Sequence, residues 1–239
     1  MKKIGIIVAV KKEFASFLED NSFKIEEFKV GSFDVEKTTI NNNEIYVLMS
    51  GCGEIDASAA TQFLISVFNV DYILNYGVVG ALKPELKVED LFLVESVVHY
   101  DFDISKIDGT KVGQYSEFKD VYMSTNSFLN KKIIELMPSI SPVICASGDK
   151  FVDDIVFKKQ LVKDYDASIC DMESAGIVRT CFKNKVPCLA IKCISDTLYG
   201  NGEDYLENVS NSSKKAFELI KKFLFSIWFL LMKFSLFYL

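Results

Sequence analysis

Residues 169–178 read ICDMESAGIV, and two carboxylates in that run look out of place. Asp171 and Glu173 flank Met172, with apolar residues before the trio and AGIV following it. Taking an unpaired carboxylate out of water is costly, so chains seldom place two where a core element is forming. One explanation is local: a helix starts here and Asp171 or Ser174 bonds to its exposed amides. The other is a ligand whose hydrogen bonds offset the burial. The stretch alone leaves both open, but it does mark a strand turning into a helix.

The same alternation runs along the whole chain. KIGIIVAV (3–10), EIYVLMS (44–50), YILNYGVVG (72–80), DLFLVESVVHY (90–100), SPVICASG (141–148) and PCLAIKCIS (187–195) are short apolar runs rich in β-branched residues, which predict strands. Several are continuously apolar, as strands covered on both faces are. Helical patterns lie between them at 54–68, 127–137, 154–164, 173–185 and 210–224. Such alternation predicts an α/β fold with a largely parallel sheet between helical layers. With no internal repeat and no Pro/Gly/Ser linker, residues 1–222 are expected to form a single domain.

Composition narrows the function. Of 239 residues, 49% are hydrophobic and 25% charged, ordinary values for a folded chain. A net charge of −6 argues against a nucleic-acid partner, which calls for a basic patch. Arg179 is the only arginine, so bidentate clamping of phosphate is almost excluded. Six scattered cysteines and the single His99 give no zinc-ligand spacing, and reduced thiols in the cytoplasm are expected. The N-terminus has KKEF where a signal peptide would be cleaved, so it reads as a first strand.

Residues 223–239, FLFSIWFLLMKFSLFYL, break the pattern with Lys233 as their only charge. The stretch is shorter than the roughly 20 apolar residues of a spanning helix. Three readings stand side by side: an apolar contact between subunits, a marginal membrane anchor, or an extension accidental to the reading frame.

Two further carboxylate positions complete the pattern. Glu13 follows the first strand, where a solvated surface glutamate is the default, and Asp196 ends the last strand in ISD. Carboxyl ends of strands in open α/β sheets face the ligand crevice. Glycine-rich strand ends, SGCGEIDASAA (50–60) and NYGVVGAL (75–82), would let backbone amides approach a ligand, although Glu54 beside Gly53 speaks against a phosphate there.

Taken together, IGIIVAVKKE (4–13), SGCGEIDAS (50–58), NYGVVGAL (75–82), SGDKFV (147–152), DMESAGI (171–177) and IKCISD (191–196) resemble the 5′-methylthioadenosine/S-adenosylhomocysteine nucleosidases of the nucleoside phosphorylase superfamily. The resemblance covers residues 1 to about 222 and implies a three-layer αβα fold around a twisted mixed sheet. It also implies hydrolysis of the N-glycosidic bond of adenine nucleosides without metal or organic cofactor, by a cytoplasmic homodimer. Carried over by motif, Asp196 is the acid that protonates the purine, and Ser195 orients it. Glu173 binds the ribose hydroxyls beside Asp171, Met172 packs on the sugar, and Glu13 takes the proton of the attacking water. Phe151 stacks on adenine, the Val152 backbone reads its edge, Gly80 belongs to the strand-end lining, and Phe102 reaches a neighbouring subunit's substrate.

Two positions depart from that pattern. Val78 stands where the family has a serine and Lys192 where it has an arginine, both of which help hold the nucleophilic water. The loop after Asp196 is short and lacks the expected phenylalanine; Leu198, Tyr199 or Tyr205 are the replacements at hand. Two rivals therefore accompany the hydrolase: a purine nucleoside phosphorylase of the same fold, and a nucleoside-binding paralogue without turnover.

Overall fold

The computed structural model describes the backbone of residues 1–235 and the side chains of residues 1–226. Its elements run β1 (Lys3–Val8), α1 (Lys11–Leu18), β2 (Glu26–Val30), β3 (Phe33–Ile40), β4 (Asn43–Met49), α2 (Glu54–Phe68), β5 (Tyr72–Ala81) and β6 (Leu91–His99). After them come α3 (Ser105–Asp108), β7 (Met123–Ser124), α4 (Ser127–Leu136), β8 (Ser141–Ser147), α5 (Ile155–Tyr165), β9 (Ile169–Asp171), α6 (Ser174–Asn184), β10 (Cys188–Asp196) and α7 (Gly202–Ser235).

Alternating side chains of β1 explain the layers, because successive residues of a strand face opposite sides. Ile4, Ile6 and Val8 join a core with Phe14 and Phe17 of α1, Leu129 and Ile133 of α4, and Ala216, Phe217 and Ile220 of α7. Ile7 points the other way, toward Ala57 and Leu64 of α2 and Ala175 and Val178 of α6. The sheet thus lies between two helical layers, as the alternation of patterns predicts. A smaller apolar cluster joins Val98 and Ala146 to Val152 and to Leu161 of α5.

The sheet is mixed. Its strand order is β10-β6-β8-β9-β5-β1-β4-β3-β2, with β7 on β6, and β10 also pairs β5. Because β10 bonds to both β6 and β5, the strands β10, β6, β8, β9 and β5 close on themselves. The parallel expectation holds for β4-β1-β5-β10 and for β6-β8-β9, while β2, β3 and β7 add antiparallel pairings.

Several elements differ from the sequence pattern. The hairpin β2–β3 was not expected, since EEFKV and FDVEKTTI carry charges on an edge that faces water. The first strand ends at Val8, and α1 then buries Glu13 where a solvated residue was the default. Helix α7 starts at Gly202, ahead of the expected 210, and runs through position 222 without a break, with Phe223 and Leu224 buried. Most of the apolar 223–239 stretch has side chains outside the described residues. No helix among the described residues is long and apolar enough to cross a membrane.

Phe217 anchors α7 to the sheet: its ring meets Phe17 edge-on at 6.1 Å and lies 5.3 Å from the Tyr76 ring. Phe217→Ala should cost about 3–5 kcal/mol in urea unfolding. A loss below about 1 kcal/mol would mean that the helix is held elsewhere.

Candidate active site

The carboxyl ends of β1, β5, β9 and β10 meet at one place and bring the sequence-predicted carboxylates together. Glu13, in the first turn of α1, turns back toward the strand it follows. Its Oε2 accepts from the Ala9 amide at 2.8 Å and the Val10 amide at 3.1 Å, and its Oε1 accepts from the Val78 amide of β5 at 2.8 Å. Gly77 makes this approach feasible, because a Cβ there would collide with the Glu13 carboxylate. Burial pushes the Glu13 carboxyl above its ordinary range, while the Lys192 ammonium and the three amides pull the other way.

At ICDMESAGIV the two explanations divide between the two carboxylates. Asp171, the last residue of β9, takes the structural part: it accepts from the Ser174 amide at 3.2 Å and from the Ser174 hydroxyl. It also accepts from Ser147 Oγ at 2.6 Å and pairs with Lys192 Nζ at 2.9 Å. Although burial alone would raise it, the Lys192 ammonium and the two hydroxyls outweigh that and hold Asp171 below the usual carboxylate range. Asp171 borders the cavity, but its hydrogen-bonding capacity is largely spent inside the protein. Glu173 is less committed. Its Oε1 accepts from the Gly53 amide at 3.0 Å. Burial, with the Asp171 charge added, pushes it up to about 7.

Asp196 ends β10 beside Gly80 of β5. A Cβ on Gly80 would lie 2.9 Å from Asp196 Oδ2 and 3.2 Å from Cys170 Sγ, so only glycine leaves this acid its place. Ser195 Oγ donates to Asp196 Oδ1 at 3.0 Å. Desolvation raises the Asp196 carboxyl against the pull of Lys158 and Ser195.

These groups enclose a cavity of about 390 Å³, whose walls include Glu13, Val78, Gly80, Phe151, Met172, Glu173, Ser195 and Asp196. A small cleft of about 40 Å³ shares Gly80, Phe151, Met172 and Asp196 with it and adds Lys150 and Val152. Phe151 is 42% exposed, and its ring meets Tyr205 of α7 edge-on at 5.8 Å. Among the described residues no lysine or arginine lines the larger cavity. Lys192, expected to help hold a water, instead sits behind the wall, fully buried with its ammonium on Asp171. Burial would lower its pKa, but the charges of Asp171, Glu173 and Glu13 hold it above the ordinary lysine range. Phe102 lies outside this chain's cavity, stacked on Tyr115 at 4.1 Å. Of the three residues put forward to close the loop, Tyr205 lines the cavity, Leu198 is buried, and Tyr199 is 72% exposed.

The phosphorylase superfamily model matches residues 3–224. The chain belongs to this superfamily. It is 31% identical to the aminodeoxyfutalosine nucleosidase of Helicobacter pylori over 221 residues, covering 90% of this chain and 96% of the relative. Identity to the 5′-methylthioadenosine/S-adenosylhomocysteine nucleosidase of Buchnera aphidicola is 30%, over 92% and 94% of the two chains. The structure of the Helicobacter pylori 5′-methylthioadenosine/S-adenosyl homocysteine nucleosidase in complex with a pyrrolidine-containing ligand superposes with a TM-score of 0.88 at 29% identity, covering 93% of this chain and 97% of that one. The nucleosidase family named from the sequence motifs is therefore the right one within the superfamily.

Three residues of the site escaped the sequence reading. Glu54 opens α2, and its carboxyl lies 2.5 Å from Ser147 Oγ and meets the Gly176 amide of α6. Ser147 has a single hydroxyl proton, yet it faces both Glu54 and Asp171. The arrangement is satisfied when Glu54 is protonated and donates to Ser147, which then donates to Asp171. Burial and the Asp171 charge fit this, pushing Glu54 up to about 8. Lys158 is the third, and one signal could have found it: on α5 it stands between Ile155 and Leu161 at helical spacing, a charge within an apolar face.

Asp171→Asn strips Lys192 of its ion-pair partner and should cost about 3–5 kcal/mol of stability. Glu54→Gln keeps the hydrogen bonds and should cost little. Since the folded Glu54 binds a proton up to about pH 8 and the ordinary value is 4.5, the unfolded chain releases it first, and stability falls between those values. The unfolding midpoint of Glu54→Gln should therefore gain on the parent's as pH rises through that window; parallel curves would contradict a protonated Glu54.

Proposed function

We propose that the chain hydrolyses the N-glycosidic bond of adenine nucleosides carrying a 5′-thio substituent, 5′-methylthioadenosine and S-adenosylhomocysteine. One observation carries the choice of water over phosphate: carboxylates line the cavity, while Lys192 and Lys158 lie behind Asp171 and Asp196. A phosphate dianion would meet like charge there, whereas a ribosyl cation would be stabilised. Arg179 is not among the residues lining the cavity or its cleft; its guanidinium pairs with Glu117 at 2.7 Å and stacks 4.1 Å from the Tyr115 ring centre.

In this reading the base enters the cleft between Phe151 and Val152, and Met172 lies under the sugar. Asp196, its carboxyl raised by desolvation and oriented by Ser195, gives its proton to purine N7. The C1′–N9 bond breaks with its electron pair going to the purine. Positive charge develops on the ribose beside Glu173, which also accepts from the ribose hydroxyls. Water then bonds to C1′ and passes a proton to Glu13, whose position three backbone amides fix. No step calls for a metal, and no cluster of His, Cys, Asp or Glu able to hold one is found among the described residues.

Homodimerisation belongs to the same reading. The segment 99–115, which by the resemblance would reach a second copy's site through Phe102, carries the Phe102–Tyr115 stack and the 88% exposed Ile107. Six free cysteines suit a reducing cytoplasm.

The purified protein should release adenine from 5′-methylthioadenosine in phosphate-free buffer. Release that requires phosphate and yields a ribose-1-phosphate product would make it a phosphorylase, and no release in either buffer would favour a binding paralogue. Asp196→Asn should lower kcat by about 100-fold or more, the scale of a general acid. Glu13→Gln should slow hydrolysis while leaving inhibitor binding intact. Full activity in either variant would overturn the role given to that residue.

A further inference from the structure

Lys158 lies fully buried in the first turn of α5, on an otherwise apolar face. Its ammonium has three acceptors within reach, all on residues 196–200. It donates to the Thr197 carbonyl at 2.9 Å and the Gly200 carbonyl at 3.5 Å, and faces Asp196 Oδ2 at 3.5 Å. Among the described residues Asp196 is its one carboxylate partner within 4 Å. A buried ammonium needs compensation: the two carbonyls supply it while Asp196 is neutral, and a carboxylate at Asp196 adds the missing counter-charge. The two carbonyls fix where the charge sits, and that charge then acts on an acid whose other oxygen Ser195 already holds.

We propose that Lys158 is a positioning residue for the general acid: its ammonium ties the turn after β10 to α5 and stabilises the Asp196 carboxylate that forms as the proton moves to the leaving purine. This rests on Asp196 being the acid. Before the step, Asp196 is a neutral carboxyl beside an ammonium. After it the proton is on N7, the electron pair of the broken C1′–N9 bond is on the purine, and the new carboxylate completes an ion pair with Lys158. Later loss of adenine and reprotonation of Asp196 from water reset the pair. The charge favours transfer but also lowers the pH up to which the acid stays protonated, so it sets the alkaline limb of the rate profile.

Other groups around the acid give a background against which Lys158 is read. Asp204 of α7 raises Asp196, and Cys170 of β9 and Tyr205 of α7 face its charge. None of the three carries a positive charge. Lys150 lines the small cleft beside Asp196, but its ammonium stands over the Phe157 ring at 4.7 Å, so among the described residues Lys158 is the ammonium paired with this acid.

The test is kcat against pH for the parent, Lys158→Met, which keeps the side-chain bulk, and Lys158→Gln, which keeps a donor for the turn. Removing the charge should lower kcat by roughly tenfold or more. It should also move the alkaline limb to higher pH by about one pH unit or more, the effect of an opposite charge this close. Lower kcat with an unmoved limb in both variants would overturn the proposal and leave Lys158 a structural residue. Asp196→Asn serves as the control for the underlying reading: if it keeps full activity, the acid has been misassigned and the limb says nothing of Lys158. The same variant covers failure of both lysine substitutions to fold. Above the parent's alkaline limb, where Asp196 is ionised beside the ammonium, it should lower the unfolding midpoint relative to the parent's, with little difference below the limb; midpoints that keep the same separation across the limb would show that the pair carries no charge coupling.

Discussion

A single ammonium, that of Lys192, lets three acidic residues share one end of the sheet. It contacts Asp171 directly and bears electrostatically on Glu173 and Glu13, all of them buried. Without a central cation, three neighbouring carboxyls in low dielectric would repel one another and take up protons. With it, Asp171 stays ionised, caps α6 and binds Ser147, while Glu173 is left free at the cavity wall. The lysine sits on β10, the strand that pairs with both β5 and β6 and closes the five-strand ring, so the pair also fixes how the strands converge.

From that arrangement follows an asymmetry of charge. Carboxyls form the wall of the larger cavity and Lys192 and Lys158 stand behind it, with Lys150 only at the small cleft; this suits the proposed substrate, whose sugar becomes cationic as it reacts. The two lysines behind the wall stand at different carboxyls: Lys192 on Asp171, on the side proposed for sugar and water, and Lys158 on Asp196, the proposed acid. A binding site for a dianion would need the opposite arrangement, with cations at the surface of the cavity.

Much of this was legible before any coordinates. Continuous apolar runs marked β1, β4, β5, β6, β8 and β10, and helix α2 spans Glu54–Phe68 as its pattern predicts. The order of motifs identified the family, and Glu13, Glu173 and Asp196, which it singled out, line one cavity. What stayed hidden depended on distant partners. The amides that hold Glu13 come from residues 9, 10 and 78, and KKE reads as surface until they are in place. Lys192 reads as a lysine in the position of an arginine, because its pairing with Asp171 depends on strand packing rather than on local sequence. Glu54 reads as a deterrent to phosphate, since nothing local shows that it is buried against Ser147 and α6. The hairpin β2–β3 escaped because edge strands exposed to water carry no apolar alternation strong enough to mark them.

The central claim is that the charge of this cavity selects water as the nucleophile even when phosphate competes. The most direct test is to turn over 5′-methylthioadenosine in ¹⁸O-labelled water containing abundant unlabelled phosphate, and to read the oxygen at C1 of the released sugar by mass spectrometry at early times. The charge arrangement predicts water-derived label in the free sugar and no sugar phosphate. Unlabelled oxygen at C1, carried in a phosphate ester, would contradict it.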